Sequence, residues 1–151
     1  MGNMFTEKMI APCGLDCSLC SQTHKRENAC SGCMGPDENK PEFCSQRCDI
    51  IRCAKRKEMA YRFCDACPDF PCAHIMEREN RYMSQYPLKE SPLANLRAIR
   101  EKGVAAFLQA QEAAWTCKAC GGILSVHDGI CSQCGKRYSC AEQNGGQTNA
   151  P

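Results

Sequence analysis

Eleven of the sixteen cysteines in this 151-residue chain fall between positions 13 and 72: Cys13, Cys17, Cys20, Cys30, Cys33, Cys44, Cys48, Cys53, Cys64, Cys67 and Cys72. Four more, Cys117, Cys120, Cys131 and Cys134, make a second and simpler group, and Cys140 follows alone as a spectator. Thiolates are soft ligands that select zinc, copper(I) and iron–sulfur clusters. The chemistry these residues offer is therefore metal binding. A C-x2-C spacing wraps one tight turn around an ion and brings two sulfurs to about 2.3 Å from it.

In the second group two such pairs, each followed by glycine (Gly121, Gly135), flank a strand-like Ile-Leu-Ser-Val run and a His-Asp-Gly turn. That is the pattern of a zinc ribbon; a single iron in the same four sulfurs has similar knuckles. In the first group Cys17, Cys20, Cys30 and Cys33 have the spacing of one closed tetrahedral site, and Cys48, Cys53, Cys64 and Cys67 that of a second. Cys13, Cys44 and Cys72 are left over and need one histidine to complete a third, with His74 preferred over His24. Cross-braced groupings fit the same spacings. The expectation is zinc in three to four sites.

Two other chemistries compete. Cys13-x3-Cys17-x2-Cys20 has the spacing of the cradle that radical enzymes use for an iron–sulfur cluster, although the ferredoxin run C-x2-C-x2-C-x3-C-P is absent. A radical enzyme needs most of a large α/β barrel, which 151 residues do not supply, so the cluster alternative is one of electron transfer or redox sensing. Cys72, at a helix start beside His74, has the setting of a low-pKa nucleophile if it carries no metal. No third orienting group accompanies it, and the ligand reading is preferred. A non-enzymatic role is preferred, with a thiol-dependent enzyme using Cys72 as a further alternative.

The positioning elements are modest. Residues 1–12 suggest an entry strand or arm, 34–43 a proline-interrupted loop, and 54–63 a helix crowded by Lys55, Arg56, Lys57 and Arg62. That basic face suits solvent better than a nucleic-acid partner. Residues 73–86 read as a helix with Ile75, Met76, Tyr82, Met83 and Tyr86 to one side. Ser91-Pro92 is a helix start. Leu93, Leu96 and Ile99, then Val104, Phe107 and Leu108, make two helices broken at Gly103 and ending near Trp115. This helical pair is expected to be the only ordinary hydrophobic packing.

Composition says why metal is needed. Leu, Ile, Val and Phe number 21, or 14% of the chain, at a formal net charge of +2. A core that thin calls for disulfides or structural metal. No apolar leader or membrane-spanning run is evident, so a reducing, cytoplasmic setting is expected, in which dense cysteine means metal. Each four-thiolate zinc site adds about −2; a global attraction to nucleic acid is not expected.

Ala-Pro-Cys-Gly-Leu-Asp-Cys-Ser-Leu-Cys (11–20), the Cys30–Cys33 element, the basic segment after Cys48 and Phe-Cys-Asp-Ala-Cys-Pro-Asp-Phe-Pro-Cys (63–72) together resemble a family of small bacterial and archaeal cysteine-rich proteins classed as a domain of unknown function. The resemblance covers about residues 10–110, and some similar members carry a C-terminal ribbon that begins at a Trp, as at Trp115. It implies binding of zinc or a related metal in a prokaryotic cytosol, and no established activity.

The sequence thus reads as a small metal-stabilised α+β protein. A Cys-rich metal-binding region (1–88) carries a helical segment packed on it (89–114), a two-knuckle β zinc ribbon (115–138) and a disordered tail (139–151). The expected function is that of a zinc-structured binding or adaptor module with a protein partner and no membrane association.

Overall fold

A computed structural model describes residues 5–34, 38–42, 44, 48–59 and 62–139. The expected tail beyond Ser139, Cys140, the first four residues and part of the 34–43 loop lie outside the described residues.

Irregular turns dominate the first half. Short 3₁₀ turns at Glu7–Met9, Cys17–Leu19, Ser21–His24 and Cys64–Ala66 alternate with the cysteines. Among the described residues the expected entry strand is a single bridge, Ile10 to Asp16, across a turn closed by Ala11 N–H donating to the Leu15 carbonyl at 2.8 Å. The expected 54–63 helix is confined, among the described residues, to α1 (Ala54–Met59). Phe63 is already extended, because Cys64 donates its N–H to the Pro12 carbonyl rather than to a helical one.

Three longer helices follow: α2 (Ala73–Ser84), α3 (Pro92–Lys102) and α4 (Val104–Trp115). Ser91 caps α3, its hydroxyl accepting from Ala94 N–H at 3.0 Å with Pro92 in the first turn. Glu79 of α2 receives both the Ser91 hydroxyl (2.8 Å) and Leu93 N–H (3.2 Å), so one helix caps the next. Gly103 turns the chain between α3 and α4 at φ +91°.

On α2 the buried stripe differs from the expected one. Ile75 and Arg78 are buried and Tyr82 partly so, at i, i+3 and i+7, while Met76 and Met83 are exposed. Counting apolar letters missed the arginine on the inner face.

The two-knuckle β ribbon is likewise not formed as a sheet. Among the described residues there is no strand longer than a bridge; Thr116–Ile123, Leu124–Cys131 and Ile130–Arg137 are isolated antiparallel bridges. Residues 123–126 spread their backbone bonds over Trp115, Ile130, Ser132 and Leu19, so no one partner extends a ladder.

Packing is also more distributed than expected. Beside the helical cluster of Ile10, Ile99 and Phe107, the largest cluster joins Phe5, Leu19 and Leu88 to Trp115, Leu124, Val126 and Tyr138. Val126 N–H donates to the Leu19 carbonyl at 2.9 Å, docking the C-terminal segment on the Cys17–Leu19 turn. A third cluster consists of Ala11, Ile50 and Ile75 with Cys13, Cys17, Cys48 and Cys64, so thiols serve as core side chains.

A buried polar network ties these parts together. Asp16 Oδ1 accepts from Ser18 N–H and hydroxyl, and its Oδ2 accepts from Gln111 of α4 at 3.0 Å. Glu90, 2% exposed, accepts Asp16 N–H at 2.7 Å and Asn95 Nδ2 at 3.1 Å. Gly14 lets this loop touch α3: at φ +98°, an added Cβ would lie 2.6 Å from the Pro92 carbonyl and 2.8 Å from Leu96 Cγ.

Candidate metal centre

The C-terminal site is built from two copies of one turn. Cys117 N–H donates to the Gly122 carbonyl (2.7 Å) while Gly121 N–H donates back to the Cys117 carbonyl (2.9 Å). Cys131 pairs with Lys136 (2.9 Å) and Gly135 with Cys131 (3.0 Å) in the same way. The tight return after each pair needs a left-handed residue, supplied by Gly121 at φ +84° and Gly135 at φ +78°. The two turns face each other, and the sulfurs of Cys117, Cys120, Cys131 and Cys134 all lie within 4.8 Å of one another. Two of the separations are 3.7 Å (Cys117–Cys134) and 3.4 Å (Cys120–Cys131). Four sulfurs at about 2.3 Å around a tetrahedral ion stand about 3.8 Å apart, so the quartet has the dimensions of one metal ion.

Donors already surround these sulfurs. Ala119 N–H and the Tyr138 hydroxyl point to Cys117 Sγ (3.4 and 3.1 Å), Gly122 N–H to Cys120 (3.4 Å) and Gln133 N–H to Cys131 (3.3 Å). Tyr138 also accepts Lys118 N–H at 3.1 Å, which fixes its hydroxyl. Burial opposes ionising Cys117, but the hydrogen bonds from Tyr138 and the turn outweigh it and bring the thiol down to about 6. Cys120 goes the other way, to about 12: the Gly122 N–H favours its thiolate, but the adjoining Cys131, Cys134 and Cys117 resist a second charge. A cation is what allows all four thiols to ionise together.

The eleven N-terminal cysteines are arranged differently. Among the described residues no three of them approach as the quartet does. Cys33 is hydrogen-bonded to Cys17, its N–H reaching Cys17 Sγ at 3.2 Å, and also to Cys44. Cys20 neighbours Cys44 and Cys30, while Cys13 neighbours Cys64 and Cys48. Cys53 and Cys67 both lie beside Lys55, which pairs with Asp69. Cys72 is half-buried at the N-cap of α2. His74 Nδ1 faces Asp49 at 3.5 Å, and His24 Nε2 lies 2.6 Å from the Ser18 carbonyl. The basic segment is partly occupied as well: Arg62 donates to the Glu7 and Ile10 carbonyls and covers the Phe63 ring at 4.4 Å.

Five of these thiols, Cys13, Cys20, Cys33, Cys44 and Cys48, line a single cavity of about 350 Å³. Arg78 reaches it from α2, its side chain 7% exposed, and donates to Cys48 Sγ at 3.3 Å. Tyr82, Tyr86 and His127 close the wall, with Tyr82 Oη and His127 Nε2 3.0 Å apart. Burial pushes the Cys13 thiol up to about 12 and Cys20 to about 11. Sequence reasoning missed Arg78, Tyr138 and His127 as site residues. Arg78 left one signal, its place at i+3 from Ile75 on the same helix face.

No curated protein and no solved structure matches the chain. All eleven N-terminal cysteines and His74 lie within residues 9–77, whereas the quartet lies outside, and residues 9–77 match the family described as "Protein of unknown function (DUF3795)".

Proposed function

We propose that the protein is a metal-structured binding module, with zinc in the Cys117–Cys120–Cys131–Cys134 quartet. The convergence of four sulfurs within 4.8 Å carries this reading. Zinc suits it because the ion takes four thiolates tetrahedrally with no preferred redox or ligand-field geometry. In this reading residues 115–138 act as a zinc ribbon reduced to its two knuckles, with Trp115 and Tyr138 anchoring it to the rest of the chain. The module works in a reducing, cytoplasmic setting, where thiols stay available to metal, and it presents a shaped surface to a protein partner.

The apparent free energy of a structural zinc site, about 10–16 kcal/mol, matches or exceeds the total stability of a typical domain. Holding a surface in shape is therefore within reach of one ion. The test is metal analysis of the purified full chain with competition against a chromogenic chelator. One tightly held zinc per chain that disappears in Cys131→Ser supports the reading. A chain without zinc that keeps Trp115 buried overturns it.

A further inference from the structure

We propose that the outer edge of the quartet is a modification site for small peroxides, with Cys134 the sulfur oxidised first and Cys120 the sulfur that resolves it, so that oxidation ejects the ion. This rests on zinc in the quartet and says how that site is regulated.

Exposure singles out these two thiols. Cys120 and Cys134 are the exposed cysteines among the described residues; every other described cysteine, Cys117 and Cys131 included, is buried or half-buried. Oxidation follows exposure and thiolate character together. A zinc ligand has lost its proton for as long as the ion is held, so these two sulfurs combine both conditions.

Hydrogen bonding then separates Cys134 from the other three. Cys117 Sγ receives Ala119 N–H and the Tyr138 hydroxyl, and Cys131 Sγ receives Gln133 N–H at 3.3 Å and Cys134 N–H at 3.5 Å. Cys120 Sγ receives Gly122 N–H. Among the described residues no N–H or hydroxyl donates to Cys134 Sγ, whose contacts are the sulfurs of Cys117, at 3.7 Å, and Cys120. A hydrogen bond to a thiolate lowers its basicity, and nucleophilicity falls with basicity. Cys134 is therefore the strongest nucleophile of the four.

Charge favours the same edge. Lys118, Lys136 and Arg137 are exposed and stand next to these cysteines in sequence, while the only acid in residues 115–138 is Asp128. Reactive cysteines share electropositive, accessible surroundings.

The chemistry closes on the chain's own sulfurs. The Cys134 thiolate attacks one oxygen of hydrogen peroxide: an S–O bond forms, the O–O bond breaks and hydroxide leaves. The resulting sulfenic acid is neutral and a poor ligand. The Cys120 thiolate, within 4.8 Å, attacks that sulfur, the S–O bond breaks and a second hydroxide leaves. Two thiolates have passed two electrons to one peroxide, and a disulfide has replaced two of the four ligands.

The experiment takes the full chain, purified under reducing conditions with its zinc counted, and adds hydrogen peroxide while a chromogenic chelator reads released zinc. Timed alkylation and peptide mass mapping give the order in which thiols are lost. Zinc release in step with loss of Cys134 and Cys120, recovery of a Cys120–Cys134 disulfide and N-terminal thiols still reduced are expected; dithiothreitol with zinc should restore the starting state. Cys134→His keeps a ligand and removes the sulfur, and should release zinc roughly tenfold more slowly. Should that variant hold no zinc, the order of thiol loss in the wild type still decides. Zinc retained while N-terminal thiols oxidise, Cys117 or Cys131 lost first, Cys134 linked to a cysteine other than Cys120, or an unslowed Cys134→His would each overturn this assignment and leave the zinc reading standing. A chain without zinc before peroxide is added overturns both.

Discussion

The two cysteine-rich regions use the same residue and the same C-x2-C spacing, yet they close to different degrees. At the C-terminus two copies of one turn, each ending in a left-handed glycine, bring four sulfurs within 4.8 Å. In the N-terminal half the Cys17/Cys20 and Cys30/Cys33 turns meet, Cys33 N–H reaching Cys17 Sγ at 3.2 Å, but among the described residues no three of their sulfurs converge as the quartet's do. Their backbone groups are committed elsewhere, Cys64 N–H to Pro12 and Thr23 N–H to Cys20, and a buried arginine stands among the thiols. Local spacing makes a half-site; the relative placement of two half-sites decides what it binds.

Breaking the quartet should have the largest effect. Cys131→Ser, or chelation of the wild type, removes a site worth about 10 kcal/mol in apparent binding. Trp115 is fully buried in the same cluster as Cys117 and Cys131. Its fluorescence should shift to the red and the 115–138 backbone should lose protection from proteolysis. Because Leu19 and Leu88 share that cluster, loosening should spread into the first half; an unchanged emission maximum would mean that the C-terminal segment holds its place without metal.

Gly14→Ala tests the other region without touching a sulfur. The backbone there is left-handed, which costs a non-glycine residue on the order of 1–3 kcal/mol, and the new Cβ would also meet the Pro92 carbonyl. Denaturant unfolding of the metal-loaded protein should show a loss of that size or more. A smaller loss would mean that the loop slides off α3 at little cost.

Tyr138→Phe sharpens the picture of the quartet. It deletes the hydroxyl that donates to Cys117 Sγ and accepts from Lys118, a change of about 1 kcal/mol. Chelator competition should show zinc held roughly fivefold more weakly, with the fold intact. Equal affinity would show that the turn N–H groups alone set the sulfur basicity.

The smallest and most diagnostic effect is in pH. Burial, and then the neighbouring Asp16, raise the Glu90 carboxyl well above its usual range, so the native state holds the neutral acid. Its contribution is complete below the ordinary carboxylate range and is lost as pH rises through the raised native value. The quartet has the opposite sign, since falling pH protonates its thiolates and releases the ion. Glu90→Gln should therefore flatten the loss of stability on the alkaline side and leave the acid-side loss unchanged. Parallel wild-type and variant unfolding curves across pH would contradict this.

Much of the local structure was legible in the letters. Ser91-Pro92 and Gly103 bracket α3 because a hydroxyl cap, a fixed φ and a left-handed stop act within a few residues of one another. The Cys117–Cys134 set was readable for the same reason, its two turns being self-contained. The inner face of α2 was not, because Arg78 is buried through Cys48 and Glu77, one of them thirty residues away. Nor was the hydroxyl of Tyr138, whose role depends on a turn twenty-one residues earlier closing toward it. The expected strands failed because the backbone bonds of Ile-Leu-Ser-Val are divided among Trp115, Ile130, Ser132 and Leu19 instead of running along one partner.

The sequence by itself determined that this chain concentrates thiols where an apolar core is thin, and that four of them sit on paired glycine-closed turns. Such statements rest on covalent spacing and allowed backbone angles, which neighbours cannot alter. Only the tertiary structure decided that those turns converge to the size of one ion while five other thiols and Arg78 surround a larger space. That outcome depends on docking: Val126 on Leu19, Gly14 on Pro92 and Glu90 under Asp16. Contacts between residues seventy or more positions apart have no signature in local spacing, because the free energy that selects them comes from burial and from hydrogen bonds formed when the pieces meet.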